Sequence, residues 1–171
     1  MDEPIKSSML DGTDFVGRLD SIEVRLAEHA RRETPKGLTE PDRDAEEQWE
    51  AAQVWAHMAE FVAYWQEQIE AVVGTYDGEP VPFGRVKSDA GRIAAIEIGR
   101  REPITELARR VGEGIAELRR YLAGLTVPEW AAWGRHQTRG DMDVEAVVDE
   151  FVVRHLEEHL EQLDRLAAEA G

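Results

Sequence analysis

Apolar residues recur at steps of three and four along four long stretches, and this spacing constrains the fold more than any other feature of the chain. Phe15, Leu19, Ile22 and Leu26 share one face of a helix predicted over 13–33, which Pro35 and Gly37 end. Val54, Met58, Phe61, Trp65, Ile69 and Val72 form the stripe of a second helix over 44–73. Asp42 or Asp44 suits its N-cap, Glu46 and Glu47 suit the positive end of its dipole, and Gly74 is a natural stop. Ile104, Leu107, Val111, Ile115, Leu118 and Leu122 mark a third helix from Pro103 to Gly124. Gly112 and Gly114 inside it each cost about 1 kcal/mol against alanine, and close helix packing is the expected reason. Asp141 or Asp143 caps a fourth helix that runs to about Ala168.

The connections are moderately long. "GTYDGEPVPFGRVKSDAGR" is rich in glycine and proline and reads as an irregular segment, with a short helical piece over 92–98. A further loop carries Trp130, Trp133 and His136 and ends at "RGDMD". No stretch alternates in the manner of a half-buried strand. Four amphipathic helices in 171 residues predict an all-α four-helix bundle, with residues 1–171 forming a single domain.

Charge and composition narrow the function. The formal net charge is -16, from 20 Lys+Arg against 36 Asp+Glu, so a nucleic acid or an anionic membrane is not an expected partner. There is no cysteine, which excludes disulfides, thiolate zinc sites, iron–sulfur clusters and a cysteine nucleophile within the chain. The segment "MDEPIKSSML" lacks the basic and apolar regions of a signal peptide, and no apolar run approaches the ~20 residues of a spanning helix. A cytoplasmic location is expected.

The histidines carry the chemistry. In "FVVRHLEEHLEQLDRL", His155 and His159 lie four residues apart among Val148, Phe151, Val152, Leu163 and Leu166. At about 100° per residue their directions differ by ~40°, and their Cβ atoms lie roughly 6 Å apart, so both rings reach one ion. Two inward imidazoles on adjacent turns are either hydrogen-bonded core residues or ligands, and both readings stand at this point. His57 flanks the stripe of the second helix beside Val54, Phe61 and Tyr64 and is a candidate third ligand. Three neutral imidazoles leave open positions on a divalent ion, which is a catalytic pattern. His29 sits inward near the end of its helix and either lines a pocket or favours the dipole. His136, in a loop beside two tryptophans, reads either as an exposed loop residue or as a substrate contact at the mouth of the bundle. Glu60 and Glu158 could orient the ligands but are expected to face solvent, while Trp55, Tyr64 and Trp65 are expected mainly as core. "HLEEH" fits the H-x-x-E-H form of inverted zinc peptidases with Glu158 as base, but only Glu161 and Glu169 follow it, on the same helix.

"WEAAQVWAHMAEF" and "GDMDVEAVVDEFVVRHLEEHLEQLDRL" together resemble the second-helix and last-helix motifs of the DinB superfamily, the DinB/YfiT-like metalloenzymes. The resemblance spans most of the chain. It implies an up-down-down-up bundle and a divalent metal held by His57, His155 and His159. It also implies zinc or nickel as the metal, with iron or manganese also compatible with these ligands. Several relatives are transferases or isomerases that use mycothiol, bacillithiol or glutathione, so a low-molecular-weight thiol is an implied cosubstrate. The function so implied is metal-assisted chemistry on a small-molecule substrate. The alternatives are a non-enzymatic metal-binding or stress-response bundle, and a degenerate bundle with an empty site. A homodimer is compatible with each.

Overall fold

The computed structural model describes residues 13–43 and 46–171. Chain order is α1 (Thr13–Arg31), α2 (Ala51–Thr75), β1 (Val81–Phe83), α3 (Ala90–Gly99), α4 (Ile104–Ala123), α5 (Val127–Trp130), β2 (Trp133–His136), β3 (Gly140–Asp143), α6 (Val144–Val147), a π-helical segment Val148–Val153 and α7 (Arg154–Glu169). The last three are one continuous helix. Asp143 caps it, as expected, by accepting the Ala146 N–H at 2.9 Å.

The four apolar stripes meet in one core. Leu19, Val54, Met58, Phe61, Ile69, Leu107, Ile115, Leu118, Leu156 and Leu160 are all fully buried. Burial of each such side chain contributes about 1.5–3 kcal/mol. Helix α1 packs on α4 and α7, and α2 packs on α3, α4 and α7. The result is the expected four-helix bundle, built from α1, α2, α4 and the α6–α7 run. Arg18 fastens α1 across it: Nη1 donates to Asp149 Oδ1 at 2.8 Å, while Nε and Nη2 grip the Glu157 carboxylate at 2.9 and 2.7 Å. His29 does similar work. Its Nε2 meets Asp164 Oδ1 at 2.7 Å, so it ties α1 to α7 and takes no part in the cleft described below.

Three details depart from the sequence-based expectations. Helix α2 begins at Ala51 rather than near residue 44. Asp44 lies outside the described residues, and Asp42 pairs with Lys87 instead of capping a helix. The cause is a closed loop. The Thr39 N–H donates to the Trp49 carbonyl at 2.8 Å and the Trp49 N–H to Thr39 Oγ1 at 2.9 Å, and Glu46 turns the chain at φ 52°. Helix dihedrals are impossible there, and the helix starts afresh where the Glu50 N–H donates to Gln53 Oε1 at 2.9 Å.

The second departure is a three-stranded sheet where loops were expected. Strand β2 pairs parallel with β1, Phe83 opposite His136, and antiparallel with β3, His136 opposite Gly140. Strands of three and four residues are too short for alternation to show. The third is that the expected packing glycine is Gly114 alone. A Cβ there would lie 3.0 Å from Val62 Cγ1, whereas at Gly112 the nearest atom is 4.0 Å away.

Gly84, just after β1, holds the sheet against α2. Its φ is +85°, its N–H donates to Gln68 Oε1 at 2.7 Å, and a Cβ would stand 2.5 Å from the His136 ring. Gly84→Ala combines a left-handed backbone with a clash and is expected to cost about 2 kcal/mol or more. Urea unfolding monitored by circular dichroism measures this loss, and a variant as stable as the parent would contradict it.

Candidate metal centre

His57 comes from the second turn of α2, and His155 and His159 come from the first two turns of α7. Their ligand-capable ring atoms all lie within 4.8 Å of one another. Two residues far apart in sequence from the third thus converge on one point. The π segment ends just before His155, and the Arg154 N–H donates to the Asp149 carbonyl five residues back. Wide turns of this kind recur at functional sites in helices.

The hydrogen bonds settle which nitrogens are free. His57 Nδ1–H donates to Glu60 Oε1 at 2.9 Å, and His159 Nδ1–H donates to Gln162 Oε1 at 2.7 Å. Both rings therefore turn a bare Nε2 inward. His57 Nε2 faces His155 Nε2 at 3.3 Å, and His159 Nε2 is buried with no partner among the described residues. The bare His57 Nε2 can accept from His155 only if the His155 proton sits on Nε2, whereas the His159 acceptor is left unpaired, which is costly in a buried site. A cation shared by the three rings would satisfy all three Nε2 atoms. The chemistry of the donor set, three imidazoles, suits a divalent transition ion.

The surroundings keep the rings neutral. Burial, followed by the neighbouring His159 and His155, holds His57 well below the usual histidine range. Burial, followed by His159, does the same for His155. Burial lowers His159 to about 4, against the opposing Gln162 bond. A neutral imidazole is the form that binds metal. Aromatic rings shape the wall: Trp49 stacks on His159 at 5.9 Å and meets His57 edge-on at 5.1 Å, while Phe61 lies 4.6 Å from His155.

Glu60 was expected to face solvent, yet its side chain is only 14% exposed. The reason is Arg85, whose Nη2 donates to both Glu60 oxygens at 2.6 Å and whose guanidinium lies 3.9 Å from the Tyr64 ring centroid. Burial pushes the Glu60 carboxyl up, and Arg85 opposes that shift. Arg85 was not singled out in the sequence, because no periodicity reports on a residue in a loop 25 positions away. Glu158 is exposed, as expected, at the mouth of the cleft.

His136 is the clearest reversal. It is 3% exposed rather than a surface loop residue. Its Nε2–H donates to the Arg85 carbonyl at 3.1 Å, and its Nδ1 accepts from the Thr138 N–H at 3.3 Å. Sheet pairing with Phe83 pulls it inward. Trp55 and Trp65 are core, as expected, at 3% and 5% exposure, and Trp65, stacked on Phe151 at 4.5 Å, also lines the cleft. That cleft has a volume of about 780 Å³, and His57, His155 and His159 open into it together with Trp49, Arg92 and His136.

The DinB superfamily model matches residues 17–163. The chain belongs to the DinB superfamily. Among solved structures it is similar to YfiT from Bacillus subtilis, described as "a probable metal-dependent hydrolase with an unusual four-helix bundle topology". The TM-score is 0.74 at 15% sequence identity, over 98% of this chain and 93% of that one. No curated protein sequence matches. A DinB bundle with three converging imidazoles, two buried and one half-buried, could bind a divalent metal at this point. No helix among the described residues is long and apolar enough to cross a membrane.

Proposed function

We propose that this DinB protein is a metal-dependent enzyme, and that His57, His155 and His159 hold its ion through their Nε2 atoms. The observation that carries this reading is the buried, partnerless His159 Nε2 beside the 3.3 Å His57–His155 pair. Three neutral imidazoles would leave a bound divalent ion its charge, and such an ion would supply the Lewis acidity that makes a thiol or a water acidic near neutral pH.

The chain's own residues prepare the site. Glu60 and Gln162 fix the tautomers and ring planes of His57 and His159. Arg85 holds Glu60 in place. Trp49 and Phe61 keep the rings dry and neutral. With no cysteine of its own, the chain takes a low-molecular-weight thiol as its nucleophile, transferred or added to a small electrophile. Water is the second reading, supported by the description of YfiT as a metal-dependent hydrolase.

Elemental analysis and titration of the untagged protein test the site, with about one zinc or nickel ion per chain expected. Absence of tight binding for zinc, nickel, iron and manganese alike would remove this reading. Mixing the loaded protein with thiols and electrophiles, and separately with ester substrates, then distinguishes transfer from hydrolysis. Glu60→Gln is expected to weaken zinc about 10–100-fold, because the amide no longer pairs with Arg85 and orients His57 less firmly. Competition with a chromophoric chelator reads this change, and wild-type affinity in the variant would deny Glu60 its orienting role.

A further inference from the structure

We propose that the cleft accepts a small molecule bearing a carboxylate, and that Arg92 recognises that group. The proposal builds on the metal reading only for the far end of the ligand. It starts from the distribution of charge. With 20 basic and 36 acidic residues, the chain as a whole repels anions. The cleft differs: seven of the 20 basic residues line it, but only six of the 36 acidic ones. Most of these cations reach solvent, but Arg85 and Arg92 are withdrawn from it, and a poorly solvated cation in a concave wall focuses its field on whatever enters.

Most of these cations are neutralised within the wall. Arg85 is taken by Glu60, Lys87 by Asp42, Arg139 by Glu150 and Arg154 by Asp149. Arg92 is held differently. It is 7% exposed, and its Nη1 donates to the Lys87 carbonyl at 2.9 Å, which fixes the guanidinium without compensating its charge. Its Nη2 reaches Glu47 Oε2 only at 3.4 Å, well beyond the usual length of a charge-assisted bond. A buried guanidinium so loosely compensated favours a better-placed anion. Its planar fork matches the two oxygens of a carboxylate.

The position is as telling as the charge. The Arg92 Cζ lies 5.4 Å from the Trp49 ring centroid, and Trp49 packs in turn against His57 and His159. Guanidinium and histidines thus flank one indole and open into one cleft of about 780 Å³. A ligand that places its reacting group at the histidines can lay a carboxylate on Arg92, displacing Glu47. The Glu47 side chain is 31% exposed, so the displaced carboxylate can turn to water.

The test compares 3-mercaptopropionate with 3-mercapto-1-propanol, which share a zinc-seeking sulfur and chain length and differ in the carboxylate. Calorimetric titration into the zinc-loaded protein is expected to show the acid binding about tenfold more tightly than the alcohol. In Arg92→Gln that advantage disappears, while zinc stoichiometry and helicity stay as in the parent. In Glu47→Gln, where the competing carboxylate is gone, the acid binds more tightly still and the alcohol is unaffected. Equal binding of the two probes by the parent protein overturns the proposal, as does an advantage retained in Arg92→Gln. Should Arg92→Gln fail to fold, an acid affinity unchanged in Glu47→Gln overturns it. If the protein takes up no zinc, the metal reading falls separately. Glutarate titrated into the metal-free protein then decides the role of Arg92, by saturable binding that Arg92→Gln loses or by none at all.

Discussion

His155→Ala is expected to strip the divalent ion from the protein and leave the bundle standing. Two of three ring nitrogens then remain, and the loss of affinity exceeds the roughly 10–100-fold that follows from removing an outer hydrogen-bond partner. The fold should survive because His155 is only half-buried at the cleft wall, with fully buried Leu156 and Leu160 carrying the packing of α7. Zinc competition titrations give the affinity and far-ultraviolet circular dichroism gives the helix content. Unchanged zinc affinity would place the ligands elsewhere, and a collapsed spectrum would show that His155 is a core residue.

The second large effect is one of pH on the metal-free protein. His159 titrates at about 4 in the fold because it is buried, against 6.5 for a free histidine. His57 and His155 are lowered in the same direction and for the same reason. As pH falls through 6.5 the unfolded chain takes up protons that the folded rings refuse, so stability present above pH 6.5 is lost progressively down to about pH 4. His159 alone accounts for about 3 kcal/mol over that window. Urea unfolding at pH 7.5 and at pH 4, compared between the parent and His159→Leu, isolates this contribution. The parent should lose the more on acidification. Identical losses in the two proteins would show that the ring is not buried in its neutral form.

Much of this was legible in the sequence because it is local. The stripe of Leu107, Val111, Ile115, Leu118 and Leu122 states which face of α4 is buried without reference to anything else. The i, i+4 spacing of His155 and His159 places both rings on one side of α7 for the same reason. Other features resist such a reading. Glu60 looked like a solvated helix residue until Arg85, held by the Gly84 turn and the His136 bond, was seen to cover it. The start of α2 was misplaced because Glu46 and Glu47 favour a helix locally, while the Thr39–Trp49 bonds close the chain into a loop.

By itself, then, the sequence determined four amphipathic helices, the pairing of His155 with His159 and the absence of any internal thiol. Only the tertiary structure brought His57 to within 3.3 Å of His155 across 98 positions, buried His136 within a three-stranded sheet, and set Trp49 and Arg92 beside the same cleft. The physical reason is one of range. Helical periodicity encodes the direction each side chain takes from its own axis. Which directions meet depends on how the helices pack and how the connections between them are tied down.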